Sequence, residues 1–276
     1  MKIDQALKTG KQSLSNSESP EIDCTVLLCH VLKCNPTYLH TWPDKALTDT
    51  QQQTFSTYLT QRLEGRPVAH IIGQRGFWTL DLRVTPDTLI PRPDTEVLVS
   101  VALEKISPNM CIADLGTGTG AVGLALASER ADISVIATDY YAAALAVAKQ
   151  NITQMALDNV ILWQGDWLSG IAKHSLDMII SNPPYIEVND PHLQQGDVGF
   201  EPLSALVAGA DGLDDIRTII EQTQDCLKPK GWLMIEHGFQ QAKAIRDLFQ
   251  QAGLEEIETR KDFGNNDRVT LGRQTV

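Results

Sequence analysis

A short segment in the second half of the chain ends in four residues that could hold a planar amino or amide group. Met178-Ile179-Ile180 is an apolar run typical of a strand buried on both faces, and Asn182-Pro183-Pro184-Tyr185 follows it. Consecutive prolines donate no backbone hydrogen bond and disfavour helix in the residue before each. The segment therefore predicts a stiff, acceptor-rich corner, in which the Asn182 side-chain carbonyl, a proline carbonyl and the flat Tyr185 ring would surround an NH2 group.

A glycine-rich loop forms a second candidate site. It follows a strand-like run, 111–115, and begins a helical pattern that extends to Ala127. Glycine lets a backbone approach a ligand closely, and the N-terminus of a helix favours negative charge. The residues of the loop are Asp114, Leu115, Gly116, Thr117, Gly118, Thr119 and Gly120.

Carboxylates at successive strand ends indicate what this loop would bind. Asp139 ends the next predicted strand, where a carboxylate can accept hydrogen bonds from both hydroxyls of a ribose. A dinucleotide-binding fold is the main alternative, but its fingerprint has two residues between the second and third glycines, and this loop has only Thr119 there. A pyrophosphate also gains nothing from Asp114 and Asp139. A cationic ligand with a ribose, such as S-adenosylmethionine, fits better, and Asp166 could accept from its adenine amino group with Trp167 packed beside it.

The apolar pattern from about residue 110 onwards predicts the fold that would position these residues. Strand-like and helical segments alternate, which predicts an α/β fold with a doubly wound, mainly parallel sheet. The predicted strands are 111–115, 133–138, 160–163, 178–180 and 232–236, followed by a hairpin of 254–259 and 268–273; Lys228–Gly231 is predicted to be a turn.

The beginning of the chain has the pattern of a small helical domain. Apolar residues recur at helical spacing in two segments up to Leu32, and Thr48–Gln51 has the form of a capping box that begins a third helix. No residue pattern here suggests chemistry. Residues 1–67 are therefore predicted to be a helical domain that recognises the substrate, and residues 91–276 to be the catalytic domain.

Residues 68–90 are predicted to be a β-hairpin linker between these domains, because apolar residues alternate from Ile71-Ile72 through Val84. Prolines on both sides of Arg92 then hold an extended segment, and Asp94 is predicted to cap a helix over 95–105. This segment would place an arginine and a carboxylate against the site of the catalytic domain.

Composition excludes several classes of protein. The net charge of −12 argues against tight non-specific binding to a nucleic-acid backbone. The five cysteines are scattered without paired spacing, so we predict neither a metal site nor disulfides, and a reducing cytoplasm is the expected compartment. Neither a signal segment nor a membrane-spanning stretch is predicted. His237, after a buried strand, is predicted to be structural.

Taken together, the motifs resemble a known family over nearly the whole chain. DLGTGTG and SNPPY are similar to class I S-adenosylmethionine-dependent methyltransferases that modify planar NH2 groups. GRPVAHIIGQRGFW, LIPRPDTE and FEPLSALVAG resemble the HemK-type protein-glutamine methyltransferases that act on release factors. The resemblance implies a Rossmann-like, seven-stranded catalytic domain, and methylation of the glutamine amide nitrogen (N5) in the Gly-Gly-Gln motif of class 1 peptide chain release factors.

The resemblance also implies a role for each matching residue. Asn182, Pro183 and Tyr185 would be catalytic; in the hypothesis developed from them, the first two accept from the amide hydrogens and the ring stacks on the amide. Tyr140-Tyr141 departs from the smaller residue that relatives commonly carry. The implied cofactor-binding residues are Asp114, Gly116, Thr117, Gly118, Thr119, Gly120, Asp139, Asp166, Trp167 and Asn182, and the implied substrate-binding residues are Asn182, Pro183, Pro184, Tyr185, Arg92 and Glu96.

Two other functions use the same features. A methyltransferase acting on an exocyclic amino group of a nucleic-acid base also needs an NPPY corner, but it should carry a basic face, which the charge of −12 disfavours. A non-catalytic, cofactor-binding adaptor is disfavoured because both motifs are intact. We expect a monomer that binds release factors without direct nucleic-acid or membrane binding.

Overall fold

The computed structural model describes residues 1–194 and 196–275, and these form two compact units. The first unit is Met1–Gln74 with Gln194–Phe200, and the second is Arg75–Leu193 with Glu201–Val276. The predicted linker, residues 68–90, is therefore divided between them: its first seven residues belong to the first unit and the remainder to the second.

The first unit is helical. Its helices are α1 (Ile3–Ser13), α2 (Pro20–Leu32), α3 (Pro36–Thr41), α4 (Asp49–Leu63) and α5 (Val68–Ile72), and they enclose an apolar core around Leu27, Leu28 and Phe55. The predicted capping box begins α4: the Gln51 backbone N–H donates to Thr48 Oγ1 at 3.2 Å, and the Thr48 N–H donates to Gln51 Oε1 at 2.9 Å.

The short helices α3 and α5 were not predicted, and α5 changes where the β-hairpin begins. The prediction that Ile71-Ile72 begins a strand is wrong, because both residues lie in α5, which ends at Gly73 in the left-handed conformation, φ 72°. The hairpin is shorter than predicted and belongs to the second unit except for its first residue. Its strands are β1 (Gln74–Phe77) and β2 (Leu80–Arg83).

The second unit contains a mixed, seven-stranded sheet of order β5-β4-β3-β6-β7-β9-β8, which confirms the predicted fold class. All neighbours from β5 through β7 are parallel, and β9 is antiparallel to both β7 and β8. The strands are β3 (Cys111–Leu115), β4 (Ser134–Asp139), β5 (Val160–Gln164), β6 (Leu176–Ser181), β7 (Leu227–Glu236), β8 (Glu255–Lys261) and β9 (Asp267–Arg273).

Helices cover both faces of this sheet because its central strands are apolar on both sides. One apolar cluster packs Ile112 and Met178 with α6 and α7, and the other packs Ala113 and Ile179 with α9 and α10. Consecutive strand residues point to opposite faces, so continuous apolar runs are what a doubly covered sheet requires. The helices are α6 (Glu96–Lys105), α7 (Ala121–Glu129), α8 (Ala142–Met155), α9 (Asp214–Cys226) and α10 (Ala242–Gln251).

Two local predictions are wrong. Lys228–Gly231 lies within β7 instead of forming a turn, and the register between β6 and β7 shifts there to accommodate the extra residues. Asp94 does not cap α6, because a 3-10 turn over Pro93–Thr95 precedes the helix and its first residues carry no side-chain cap. Among the described residues, no helix is long and apolar enough to cross a membrane.

Candidate active site

The glycine-rich loop and the NPPY corner lie side by side at the carboxyl edge of the sheet. From β3 the chain proceeds outward through β4 and β5, and from β6 it proceeds in the opposite direction through β7, so the order of strands reverses between β3 and β6. Leu115 and Ser181 are partners in the β3–β6 register, and Ser181 Oγ donates to the Leu115 carbonyl at 2.9 Å. This reversal is the point at which open α/β sheets bind ligands.

A cleft of about 230 Å³ opens at this point. Most of the predicted site residues line it. They are Arg92, Asp114, Gly116, Thr117, Gly118, Thr119, Asp139, Asp166, Trp167, Asn182 and Pro184. Four predicted residues are not among its lining: Glu96, Gly120, Pro183 and Tyr185.

The three glycines of the loop have different roles. All adopt left-handed backbone conformations, with φ of 64° at Gly116, 56° at Gly118 and 88° at Gly120. A Cβ at Gly118 would meet almost nothing, whereas one at Gly120 would lie 2.8 Å from Leu124 Cδ1. Gly120 is thus required by the packing of the first turn of α7, and its role in binding the cofactor stays a prediction.

The side chain of Asp114 anchors the glycine-rich loop. Its carboxylate is buried, and Oδ2 accepts from Thr117 Oγ1 at 2.6 Å and from the Gly123 backbone N–H at 2.9 Å. Burial raises the pKa of Asp114 to about 6, against the two hydrogen bonds, which lower it. The carboxylate therefore joins the glycine loop to the first turns of α7.

Asp139, at the end of β4, also braces the loop. Its Oδ2 accepts from the Gly118 backbone N–H and its Oδ1 from the Tyr141 backbone N–H, both at 2.9 Å. Burial raises the pKa of this carboxyl as well. Each carboxylate oxygen has a second lone pair, so Asp139 can still accept from the hydroxyls of a ligand in the cleft. Tyr140 and Tyr141 are exposed and line the cleft beside it.

The next strand end contributes Asp166 and Trp167. Trp167 adopts φ 51°, and its carbonyl accepts from Thr138 Oγ1 at 3.4 Å. A Cβ at Gly116 would lie 3.2 Å from Trp167 Cζ3, so the indole packs directly against the glycine loop. Trp167 and Gly116 thus form one apolar wall of the cleft, next to Asp166.

The charge of the cleft is strongly negative. Among the described residues that line it, five are aspartates and one, Arg92, is basic. The aspartates are Asp87, Asp114, Asp139, Asp166 and Asp215. Burial, followed by repulsion from neighbouring carboxylates, raises the pKa of Asp215. A cleft of this charge favours a cationic ligand over a pyrophosphate.

The NPPY corner presents the side chain of Asn182 to the cleft. Its Nδ2 donates to Thr95 Oγ1 at 3.3 Å, which turns Oδ1 toward the opposite side of the amide group. The Tyr185 ring was expected to stack on the substrate amide, but Tyr185 does not line the cleft. It packs against the apolar cluster between the sheet and α9 and α10, and its carbonyl accepts from Gln241 Nε2 at 3.0 Å. Burial raises the pKa of the Tyr185 hydroxyl.

The LIPRPDTE segment is held by a residue that sequence analysis did not single out. Glu201, whose carboxylate is fully buried, accepts from the Ile90 backbone N–H at 2.7 Å and forms an ion pair with Arg92. Glu96, predicted to lie near the substrate, does not line the cleft and accepts from the Trp78 backbone N–H at 3.0 Å. It therefore fastens the β1–β2 turn to α6.

Comparison with known proteins identifies the family. The family models described as the PrmC N-terminal domain and the methyltransferase small domain match residues 5–73 and 93–196. The release factor glutamine methyltransferase of Aliivibrio fischeri is 48% identical over 280 residues, which cover 100% of this chain and 99% of that protein. The Escherichia coli protein of the same name is 48% identical over 274 residues, 99% of each chain. The chain belongs to the release factor glutamine methyltransferase family.

Solved structures of more distant methyltransferases share the fold. A methyltransferase from Pyrococcus furiosus superposes with a TM-score of 0.56 at 17% identity, covering 80% of this chain and 100% of that one. M. jannaschii TYW2 in complex with AdoMet gives 0.52 at 14% identity, covering 74% and 86%. At such identities these similarities show only the fold.

In this member of the release factor glutamine methyltransferase family, the site residues that the motifs did not identify are mainly those that hold predicted site residues in place. Thr95 lines the cleft beside Asn182, and Glu201 holds Arg92. Both lie inside the segments LIPRPDTE and FEPLSALVAG that carried the resemblance, so the signal was present, but nothing local indicated which of their residues faced the site.

Proposed function

We propose that the protein methylates the side-chain amide nitrogen (N5) of the glutamine in the Gly-Gly-Gln motif of class 1 peptide chain release factors, with S-adenosylmethionine as methyl donor. The observation that carries this proposal is the 48% identity over the full length of release factor glutamine methyltransferases. It acts as a monomer in the cytoplasm, with residues 1–67 recognising the release factor and without direct nucleic-acid binding. The net charge of −12 supports the last point.

The residues present at the cleft fit the cofactor. Its acidic lining suits a positively charged ligand, and the left-handed Gly118, beside which a Cβ would meet almost nothing, leaves room for a ligand against the backbone. Asp139 would hold the ribose hydroxyls, and Asp166 with Trp167 would border the adenine. When bound, S-adenosylmethionine would supply a methyl group attached to a positively charged sulfur, and the neutral thioether S-adenosylhomocysteine would be the leaving group and product.

An amide nitrogen is a poor nucleophile because its lone pair is delocalised into the carbonyl. In the proposed mechanism, Asn182 Oδ1 and the Pro183 carbonyl accept from the two hydrogens of the substrate amide. They stabilise the positive charge that develops on nitrogen and keep its lone-pair face directed into the cleft. Preorganised groups of this kind contribute roughly 3–4 kcal/mol each, and alignment of the reactants up to about 7–11 kcal/mol. The protonated, N-methylated amide then releases a proton to water without a strong base.

Mass spectrometry tests this function directly. The protein is incubated with S-adenosylmethionine and a purified class 1 release factor, and a release factor with alanine in place of the Gly-Gly-Gln glutamine is the matched control. We expect one added methyl group on that glutamine and none on the control. Asn182→Ala should lose turnover by roughly 10²-fold or more with little change in cofactor affinity. Methylation of nucleic acid but not of release factor would overturn the proposal.

A further inference from the structure

Glu236 is a buried carboxylate beside the candidate active site that the mechanism above does not use. It is the last residue of β7, next to the β6 strand end that leads into Asn182, and it is 1% exposed. Its Oε2 has no hydrogen-bond partner among the described residues. Burying an ionisable group in this way is unfavourable for folding, so its presence at the end of β7, beside the strand that leads into Asn182, calls for a functional explanation.

A chain of hydrogen bonds joins Glu236 to Asn182 through Thr95. Asn182 Nδ2 donates to Thr95 Oγ1 at 3.3 Å, and the Thr95 side chain hydrogen-bonds the Glu236 carboxylate. Thr95 is 4% exposed, so water does not compete freely for its hydroxyl. A hydroxyl has one hydrogen and can donate in one direction only, which links the orientation of its two neighbours.

We propose that Glu236 and Thr95 are positioning residues that determine which end of the Asn182 amide faces the substrate. The proposal rests on the proposed function, because it concerns how Asn182 recognises the glutamine amide.

The polarity of the chain explains how this works. A carboxylate only accepts, so Thr95 must donate its hydrogen to Glu236, and its oxygen lone pair then accepts from Asn182 Nδ2. Asn182 is thereby held with Oδ1 available to accept from the substrate amide. Without the carboxylate, Thr95 can donate to Oδ1 instead. The Asn182 amide then turns over and presents N–H groups to the N–H groups of the substrate, which repel.

The protonation of Glu236 controls the same polarity. Burial raises its pKa to about 7, whereas the Thr95 hydrogen bond and the Arg268 charge lower it and Asp94 and Asp262 raise it. The nearby Tyr185 hydroxyl is itself buried and neutral. Protonated Glu236 can donate to Thr95, so turnover should fall as pH decreases through the pKa of this group.

The test uses isosteric variants of both positioning residues in the full-length protein. Glu236→Gln should lower kcat for release factor methylation about tenfold, because a carboxamide can donate to Thr95 as well as accept from it and no longer fixes the direction of the hydrogen bonds. It should also remove the acid limb of the wild-type pH profile. Thr95→Val should lower kcat about tenfold or more, and Thr95→Ser, which restores the hydroxyl, should recover most of it. The affinity for the cofactor, measured by calorimetry, should change little.

Two further measurements separate positioning from general damage. Thr223→Val is the matched control, because Thr223 is equally buried but donates to Ile219 within α9, away from the cleft. In addition, the Asn182 side-chain NH2 signal, identified by its absence in Asn182→Ala, should shift with pH in the wild-type NMR spectrum and not in Glu236→Gln.

The outcomes distinguish this inference from the proposed function. If the wild-type protein does not methylate release factors, the proposed function fails. If it does, and Glu236→Gln and Thr95→Val keep wild-type kcat and the same pH profile, the positioning role is refuted. A loss equal in Thr95→Ser and Thr95→Val would also refute it, because the hydroxyl would then not be the active feature.

Discussion

Replacing Glu236 by glutamine should make the fold more stable at alkaline pH, although it lowers turnover. The ordinary pKa of a glutamate is 4.5, and burial raises that of Glu236 to about 7. Below pH 4.5 the group is protonated in both the folded and the unfolded chain and does not affect stability. Between pH 4.5 and about pH 7, Glu236 is mostly ionised in the unfolded chain and mostly protonated in the folded chain. The wild-type free energy of unfolding therefore decreases as pH rises through this interval. Above pH 7 the full penalty is present.

The magnitude follows from the two pKa values. A change from 4.5 to about 7 corresponds to about 3 kcal/mol, at about 1.4 kcal/mol for each tenfold change in the acid constant. Most of this accumulates between pH 5 and pH 8, where the linkage relation gives roughly 2–3 kcal/mol. Glutamine cannot ionise, so Glu236→Gln should gain that amount over the wild type across this interval. Any pH-independent effect of the substitution on packing cancels in the comparison.

Urea unfolding at several pH values, followed by circular dichroism, measures the difference between the two proteins. Glu221→Gln on α9 is the matched control, because Glu221 is exposed to water and its charge is not removed from water on folding. The control should show little pH-dependent difference from the wild type. A difference between Glu236→Gln and wild type that stays constant from pH 5 to pH 8 would show that the folded protein tolerates the charge without penalty, and the reasoning would be refuted.

Two other substitutions test the supports of the cleft. Asp139→Asn keeps the shape of the side chain but removes its charge, so the dissociation constant of S-adenosylmethionine should rise about tenfold or more in calorimetry; unchanged affinity would rule out a ribose-binding role. Glu201→Ala leaves Arg92 without its buried carboxylate, so the free energy of unfolding should fall by about 3 kcal/mol in urea titrations. If stability is unchanged, the ion pair does not hold the LIPRPDTE segment in place.

The central sheet could be predicted from sequence because its signal is local. Strands buried on both faces appear as short apolar runs such as Met178–Ile180, and a strand can be recognised from such a run alone. The short helices α3 and α5 were missed because five or six residues span less than two turns, which is too short to show helical periodicity. The start of β7 was missed for a different reason: Pro229 and Gly231 mark a turn by composition, but pairing with β6 extends the strand through them.

The cleft residues could be predicted where a single strand end carries them, and not where two distant segments must meet. Asp139 and Asn182 each follow a strand directly, so the fold class alone brings them to one edge of the sheet. The contact between Glu201 and Ile90 depends instead on the path of a long connection after β6, which has no periodic pattern. No local property of either segment indicates that they pair.

The side chains where the 3-10 turn over Pro93–Thr95 meets α6 show why motif residues are hard to assign from sequence. The resemblance directed attention to Glu96, which carries a charge, but successive helical residues are rotated by about 100° about the axis. Thr95 therefore faces the cleft and Asn182, while Glu96 turns toward the hairpin and binds the Trp78 backbone. The carboxylate that interacts with Thr95 is that of Glu236, which comes from the end of β7, far along the chain. A charged residue in a motif thus indicates that a segment matters, but the direction of each side chain decides which residue lies at the site. Here a neutral hydroxyl, that of Thr95, lies between the Asn182 amide and a buried carboxylate.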